Sequence, residues 1–232
     1  MKTDRDSMLD RIRDSLRSAH LPSANDSIPP RTWPAPQLDS AALADSFARE
    51  ASTLGVNVHR PSSRDEAIET VLTLLREIGA NNILAWGDDD LCLPEVGKAI
   101  RAAEIRIVDP NVSPDSTIRR EQLSQLGGPL AGVTGALAGL ADTGTLALLT
   151  GPTQSRLASL LPPTHIALLS ISHLYPDMAS FFVAHPDAAR NGSNLVFVTG
   201  PSRTGDIELT LTVGVHGPKT IHIILIDAQN NR

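Results

Sequence analysis

The chain has 232 residues, 41% of them hydrophobic and 20% charged, enough for one sizeable core and an appendage. Its formal net charge of -6 argues against nucleic acid or an anionic membrane surface as the main partner; no run approaches the ~20 apolar residues of a membrane span. The charged start "MKTDRDSMLD" is unlike a signal peptide, so a cytoplasmic protein is expected, and the single Cys92 excludes both an internal disulfide and an iron–sulfur cluster held by this chain alone.

Residues 4 to 19 place Met8, Leu9, Ile12, Leu16 and Ala19 on one face of a short amphipathic helix. Pro22, Pro29, Pro30, Pro34 and Pro36 follow, and each removes a backbone donor and fixes φ, so neither a helix nor a central strand runs through them. Residues 1–38 therefore read as an N-terminal arm and 39–232 as an α/β domain. The arm's helix is open to docking on a partner, on a second copy or on the body, or to standing as a solvated tail.

From residue 40 the pattern alternates. "AALADSFAREASTLG" reads as helix and "VNVHR" as strand; "SSRDEAIETVLTLLREIGA" reads as a helix opened by the pair Ser63 and Glu66 and closed by Gly79. "NILAW" is a strand, "LPEVGKAIRAA" a helix and "IRIVD" a strand. That rhythm predicts a parallel sheet with right-handed crossovers. "GVTGALAGLADTGTLALLTG" breaks at Asp142-Thr143-Gly144, which predicts a hairpin and hence a mixed, mostly parallel sheet flanked by helices. Further strands are predicted at "THIALLS", "NLVFVTG" and "TIHIILID".

Ligands of parallel sheets bind beyond the carboxyl ends of the strands, where helix N-termini offer free N–H groups. "NLVFVTGPSRTGDIELTL" reads as strand, turn and helix, with Ser202 as N-cap and Arg203 and Thr204 in the first turn. A cation there opposes the helix dipole unless an anion, carboxylate or phosphate, sits between them. The competing reading is a structural ion pair of Arg203 with Asp206 or Glu208. The stretch Asp142, Thr143, Gly144, Thr145 is either a bare hairpin turn or the opposite wall of the same anion pocket. His216 and Lys219, at the end of the expected helix, face that pocket or merely complement the dipole. His165 is read as a structural histidine or a site residue, and "GDDD" at 87 to 90 as an N-cap or a cation contact. Cys92, between two leucines, reads as a buried thiol. No P-loop, G-x-S-x-G or G-x-G-x-x-G is present.

Two blocks, "GVTGALAGLADTGTLALLTGPTQSRLASLLPPTHIALL" and "VFVTGPSRTGDIELTLTVGVHGPKTIHIILID", taken in this order and spacing, resemble the LUD domain family, in its LutC and YkgG-like branch. The likeness covers about residues 40 to 228 and departs from the family at Gly205, where Ala is frequent. It implies a fold related to the NagB/RpiA/CoA-transferase-like class. It also implies a role with two iron–sulfur partner proteins in oxidising L-lactate to pyruvate, the clusters residing on those partners and none on this chain. The alternative is a stand-alone α/β enzyme or binding protein for a phosphorylated or CoA-linked metabolite. The resemblance assigns no catalytic residue. In that role the chain either binds a small carboxylate or supports the cluster-bearing partners, and the residues expected to line a ligand site are Ser202, Arg203, Thr204, Asp142, Thr143, Gly144, Thr145 and His216.

Overall fold

The structure, a computed structural model, describes residues 3–19, 39–113, 115–125, 128, 130–205, 211–214 and 216–227. The chain divides into two units, residues 1–34 and 35–232. In the first, helix α1 (Asp4–Ser18) is opened by a capping box in which Thr3 and Asp6 exchange side chain–backbone hydrogen bonds. Met8, Ile12 and Leu16 on it are exposed.

The second unit runs α2 (Ser40–Thr53), β1 (Asn57–His59), α3 (Arg64–Glu77), β2 (Asn82–Ala85), α4 (Glu95–Ala102), β3 (Arg106–Val108) and α5 (Ser116–Gln125). It continues with β4 (Ala131–Gly135), β5 (Ala138–Leu140), β6 (Thr145–Thr150), α6 (Leu157–Leu160), β7 (Thr164–Ser170), β8 (Leu174–Tyr175) and α7 (Met178–Ala184). β9 (Asn194–Val198), β10 (Arg203–Gly205), β11 (Leu211–Val213) and β12 (Thr220–Ile226) complete it.

Apart from β10 and β11, the strands divide between an all-parallel sheet and a second, mixed one in which β5 pairs parallel with β8 and antiparallel with β6. Six strands in the order β1-β12-β7-β4-β2-β3 form an all-parallel sheet, and a second sheet has the order β8-β5-β6-β9. The central β4 and β7 are buried at every position, as a strand covered on both faces must be, so their apolar runs are continuous rather than alternating. The hairpin around Asp142-Thr143-Gly144 is present as β5 and β6, yet it belongs to the second sheet. The apolar run before the hairpin is thus shared between β4 of one sheet and β5 of the other.

Ser63 caps α3 through Glu66 N–H, but the Glu66 carboxylate reaches back to Ser62 instead of closing a box with Ser63. Gly79, at φ +66, ends that helix as its sequence predicts. Among the described residues no helix is long and apolar enough to cross a membrane.

One element differs outright. The helix expected from Ser202 is an antiparallel ribbon, β10 paired with β11, with Arg203 opposite Val213 and Gly205 opposite Leu211. The reason is visible in the residues: Ile207, Leu209, Leu211 and Val213 recur every second position between polar residues, which is the period of a strand. Asp206 and Glu208, the expected ion-pair partners of Arg203, lie outside the described residues.

Candidate functional site

The two motif blocks meet at one end of the second sheet. Antiparallel pairing of β6 with β9 sets Leu146 opposite Val198, so the next positions outward, Thr145 and Thr199, come together with their hydroxyls 2.8 Å apart. Thr145 Oγ1 donates to Thr143 Oγ1 at 2.8 Å, and Thr143 Oγ1 donates to Asp142 Oδ1 at 3.1 Å. A hydroxyl carries one proton, and here Thr143 and Thr145 have each spent theirs. Thr199 therefore supplies the proton of its contact with Thr145. The chain Thr199, Thr145, Thr143, Asp142 is ordered in one direction, from an exposed hydroxyl through the buried Thr145 to an exposed carboxylate.

Helix α2 fixes this turn in place. Gly144 adopts φ +61, and a Cβ there would stand 2.2 Å from Ala51 N. The turn lies directly on the α2 backbone, and glycine is the residue that fits both constraints. Past Thr199, Gly200 at φ +95 turns the chain over Leu54, the C-cap of α2, and Arg203 Nη2 donates to the Leu54 carbonyl at 2.8 Å.

That contact overturns the electrostatic reason for an anion beside Arg203. No helix starts at Ser202, so the free amides of a helix N-terminus do not accompany the guanidinium. Arg203 lies instead at the C-terminal end of α2, where cations are favoured. Ser202 is no N-cap: its N–H donates to Pro218 O and its carbonyl accepts from Gly214 N–H, tying it to the turn that holds His216. His216 is exposed on that turn, which follows β11 rather than a helix. Thr204 pairs through its backbone with Thr212.

The strand-end rule points elsewhere. In the parallel sheet the crossovers diverge between β2 and β4, since β2 leads outward to β3 and β4 leads the other way to β7. Next to that divergence, beyond the carboxyl ends of β2 and β3, lies a cleft of about 470 Å³ that includes Trp86, Asp88, Arg101, Asp109 and Asn111. Trp86 Nε1 donates to Ser155 O at 3.0 Å and Ser155 Oγ to Pro110 O at 2.8 Å, which pins the 151–156 loop across the strand ends. β9, beyond which the sequence places the anion pocket, is not a strand of the parallel sheet. "GDDD" neither caps α4, whose N-cap is Pro94, nor joins a metal-ligand group: Asp88 pairs with Arg101, and Asp90 accepts from Gln154. Among the described residues no group of three or more His, Cys, Asp or Glu is placed to hold a metal ion.

The remaining titratable candidates lie within the body of the fold. His165 is fully buried in β7 with Nε2 2.9 Å from Thr134 Oγ1, and burial drops its pKa to about 4. Cys92 is largely buried, which pushes its thiol up to about 12, the opposite of an activated nucleophile. A stacked pair, His59 and His222, joins edge strand β1 to β12 with Nε2 and Nδ1 3.0 Å apart. Burial, and secondly its neighbour His59, lowers His222 to about 4.

The LUD domain family matches residues 44–226. An uncharacterized protein of Neisseria meningitidis serogroup B is 36% identical over 82% of this chain and 86% of its own length. The lactate utilization protein C of Halalkalibacterium halodurans is 25% identical over 96% of this chain and 98% of its own. A crystal structure of a DUF162 family protein from Deinococcus radiodurans superposes with a TM-score of 0.58 over 81% of this chain and 98% of that one; at 20% identity it shows the shared fold alone. The chain belongs to the LUD domain family, in the branch that includes lactate utilization protein C.

Proposed function

We propose that this chain is a subunit of a lactate-oxidising system, acting beside two iron–sulfur proteins that carry the electrons. The family match and the near full-length likeness to a lactate utilization protein C support the role in lactate use. A single cysteine in 232 residues supports the division of labour, because a cluster takes about four thiolates.

The observation that carries a site is the 2.8 Å contact of Thr145 with Thr199. Oxidising L-lactate to pyruvate releases two electrons and two protons, one of the protons from the C2 hydroxyl. A hydroxyl donating to the free lone pair of Thr199 has a path for that proton through Thr145 and Thr143 to Asp142. The guanidinium N–H groups of Arg203 that do not serve Leu54 are donors for a small carboxylate. The electrons and the second proton leave through the partners. The alternative ligand, a phosphorylated metabolite, is disfavoured at the 470 Å³ cleft, where Asp88 and Asp109 repel an anion and Arg101 is already paired with Asp88.

The test is genetic and biochemical together. Deleting the gene in a lactate-growing host should abolish growth on L-lactate but not on pyruvate, and the tagged chain should retain two iron-containing proteins on purification. Normal growth of the deletion strain on L-lactate would refute the role; recovery of the chain without iron-containing partners would refute the assembly.

A further inference from the structure

We infer that the cleft beyond the carboxyl ends of β2 and β3 binds a neutral ligand with neighbouring hydroxyl groups, a free sugar or the ribose of a nucleoside. This goes beyond the lactate reading, which uses none of the residues of the cleft. The cleft holds about 470 Å³, within the range of small-molecule sites, and lies beside the divergence of the crossovers, where parallel sheets take their ligands. Its walls are fixed before anything binds. Trp86 Nε1 and Pro110 O are both tied to Ser155, and Gln154 Nε2 donates to Asp90 Oδ1 at 2.9 Å, so the 151–156 loop is held at three points.

Floor and rim differ in kind. Ala85, Trp86 and Pro110 line the cleft and are buried, and the Trp86 N–H is already used, so the floor offers apolar surface. The rim carries Asp88, Arg101, Asp109, Asn111 and Thr153. Asp88 is committed to the fold: it pairs with Arg101 and rests on α4 where a Cβ at Gly97 would overlap its Oδ1. Arg101 keeps donors beyond that pair, since a guanidinium has five N–H groups. Asp109 Oδ1 accepts from the Asn111 N–H at 2.8 Å and from Asn111 Nδ2 at 2.9 Å, which leaves Asp109 Oδ2 and Asn111 Oδ1 as neighbouring acceptors.

Donors and acceptors on one rim select the chemistry of the ligand. A phosphate or carboxylate only accepts; it would satisfy Arg101 but meet Asp109 as a like charge, with no proton for its oxygens. An ammonium only donates; it would satisfy Asp109 but meet Arg101 as a like charge and leave its N–H groups unanswered. A hydroxyl does both and carries no charge. Two hydroxyls on adjacent carbons match the paired acceptors of Asp109 and Asn111, while their oxygens accept from Arg101 or Thr153. The apolar floor takes the C–H face of the ring. Asp109, directly after β3, thus has the position from which a carboxylate accepts from a ribose hydroxyl in other parallel sheets.

Isothermal titration calorimetry on the full chain with D-ribose, adenosine, spermidine and inorganic phosphate tests this. Ribose or adenosine should bind one per chain with a Kd of about 1 mM or tighter. Adenosine binding about tenfold more tightly than ribose identifies a nucleoside site, and equal affinities identify a sugar site; both results support the proposal. Asp109→Asn keeps an oxygen for Asn111 but loses the carboxylate, and should weaken binding about tenfold. Thr153→Val, at an exposed loop position, should weaken it severalfold with the melt unchanged, which keeps the test open if Asp109→Asn does not fold. Failure of both ribose and adenosine to bind below about 10 mM overturns the proposal. So does binding of spermidine or phosphate that these variants abolish, or binding of ribose and adenosine that neither variant weakens, since the ligand then sits elsewhere.

Discussion

Arg203 Nη2 donates to the carbonyl of Leu54 at 2.8 Å, which sets a cation on the last turn of α2 across 149 residues of sequence. Its role in stability is therefore favourable, as a charge-assisted hydrogen bond to a helix end that has no intrahelical partner for its last carbonyls. Solvent screens it, so Arg203→Met should cost about 0.5–1.5 kcal/mol and lower the melting temperature by a few degrees. Arg203→Lys, which keeps the charge but loses the fork, should recover part of that. A melt of Arg203→Met unchanged within error would mean that the contact contributes nothing in solution.

Gly144 and Gly79 separate two effects that substitution at a glycine usually mixes. Both have positive φ, +61 and +66, but a Cβ at Gly144 would stand 2.2 Å from Ala51 N, whereas nothing lies within 4 Å of one at Gly79. Gly79→Ala should cost about 1–2 kcal/mol, the strain of the left-handed conformation alone. Gly144→Ala must also push the turn off α2 and should cost several kcal/mol, because close-packed backbone does not yield. Equal destabilisation of the two variants in urea melts would show that the turn does not rest on α2.

Stability should fall with acid between about pH 6.5 and pH 4. His165 and His222 are both held near 4 by burial, below the 6.5 of an exposed imidazole. In this window the unfolded chain binds protons that the folded chain refuses, so the stabilisation is full above pH 6.5 and is lost as pH drops through the folded value. His59 is lowered too, chiefly by burial, with Glu77 acting in the opposite direction. Replacing His222 with Gln should make the decline of melting temperature over this range shallower than in the wild type; an unaltered slope would show that the His59–His222 pair does not contribute to it.

Much of the parallel sheet was legible because its strands are short continuous apolar runs between helices with clear caps: "VNVHR", "NILAW", "IRIVD", "THIALLS" and "TIHIILID" all form it. The ribbon of Arg203–Gly205 with Leu211–Val213 departs from the expected helix because "VTGPSRTGD" has the residue order of a strand-turn-helix, while the two-residue period of a strand begins only at its end. The division into two sheets could not be read locally, since β4 and β5 follow each other within one apolar stretch and only pairing partners distant in sequence assign them. The same holds for the site. Thr145 and Thr199 are 54 residues apart and Arg203 and Leu54 are 149 apart, and no local pattern encodes either contact.

Cys92 should be silent toward thiol reagents in the native protein. Burial disfavours its thiolate, and the pKa of about 12 leaves almost none at neutral pH. Titration with a chromogenic disulfide should therefore detect no fast thiol in buffer and one in guanidinium chloride. A stoichiometric fast reaction in buffer would place Cys92 in an exposed setting and contradict its packing against the core.

Thr145 tests the hydroxyl chain apart from the fold. Its side chain is buried, and its hydroxyl donates to Thr143 while accepting from Thr199, so Thr145→Val keeps the shape but cuts the chain in the middle. Thr143 and Thr199 are exposed, and water can take up the contacts they lose, which limits the destabilisation to about 1 kcal/mol and a few degrees of melting temperature. Lactate oxidation by the assembled system should nevertheless collapse, because the proton path from Thr199 to Asp142 is gone. Thr145→Ser restores a hydroxyl at nearly the same place and should restore most of the activity. The outcome that defeats the relay is a Thr145→Val protein that supports oxidation of L-lactate at the wild-type rate; the Thr145–Thr199 contact would then serve only to hold β6 and β9 in register.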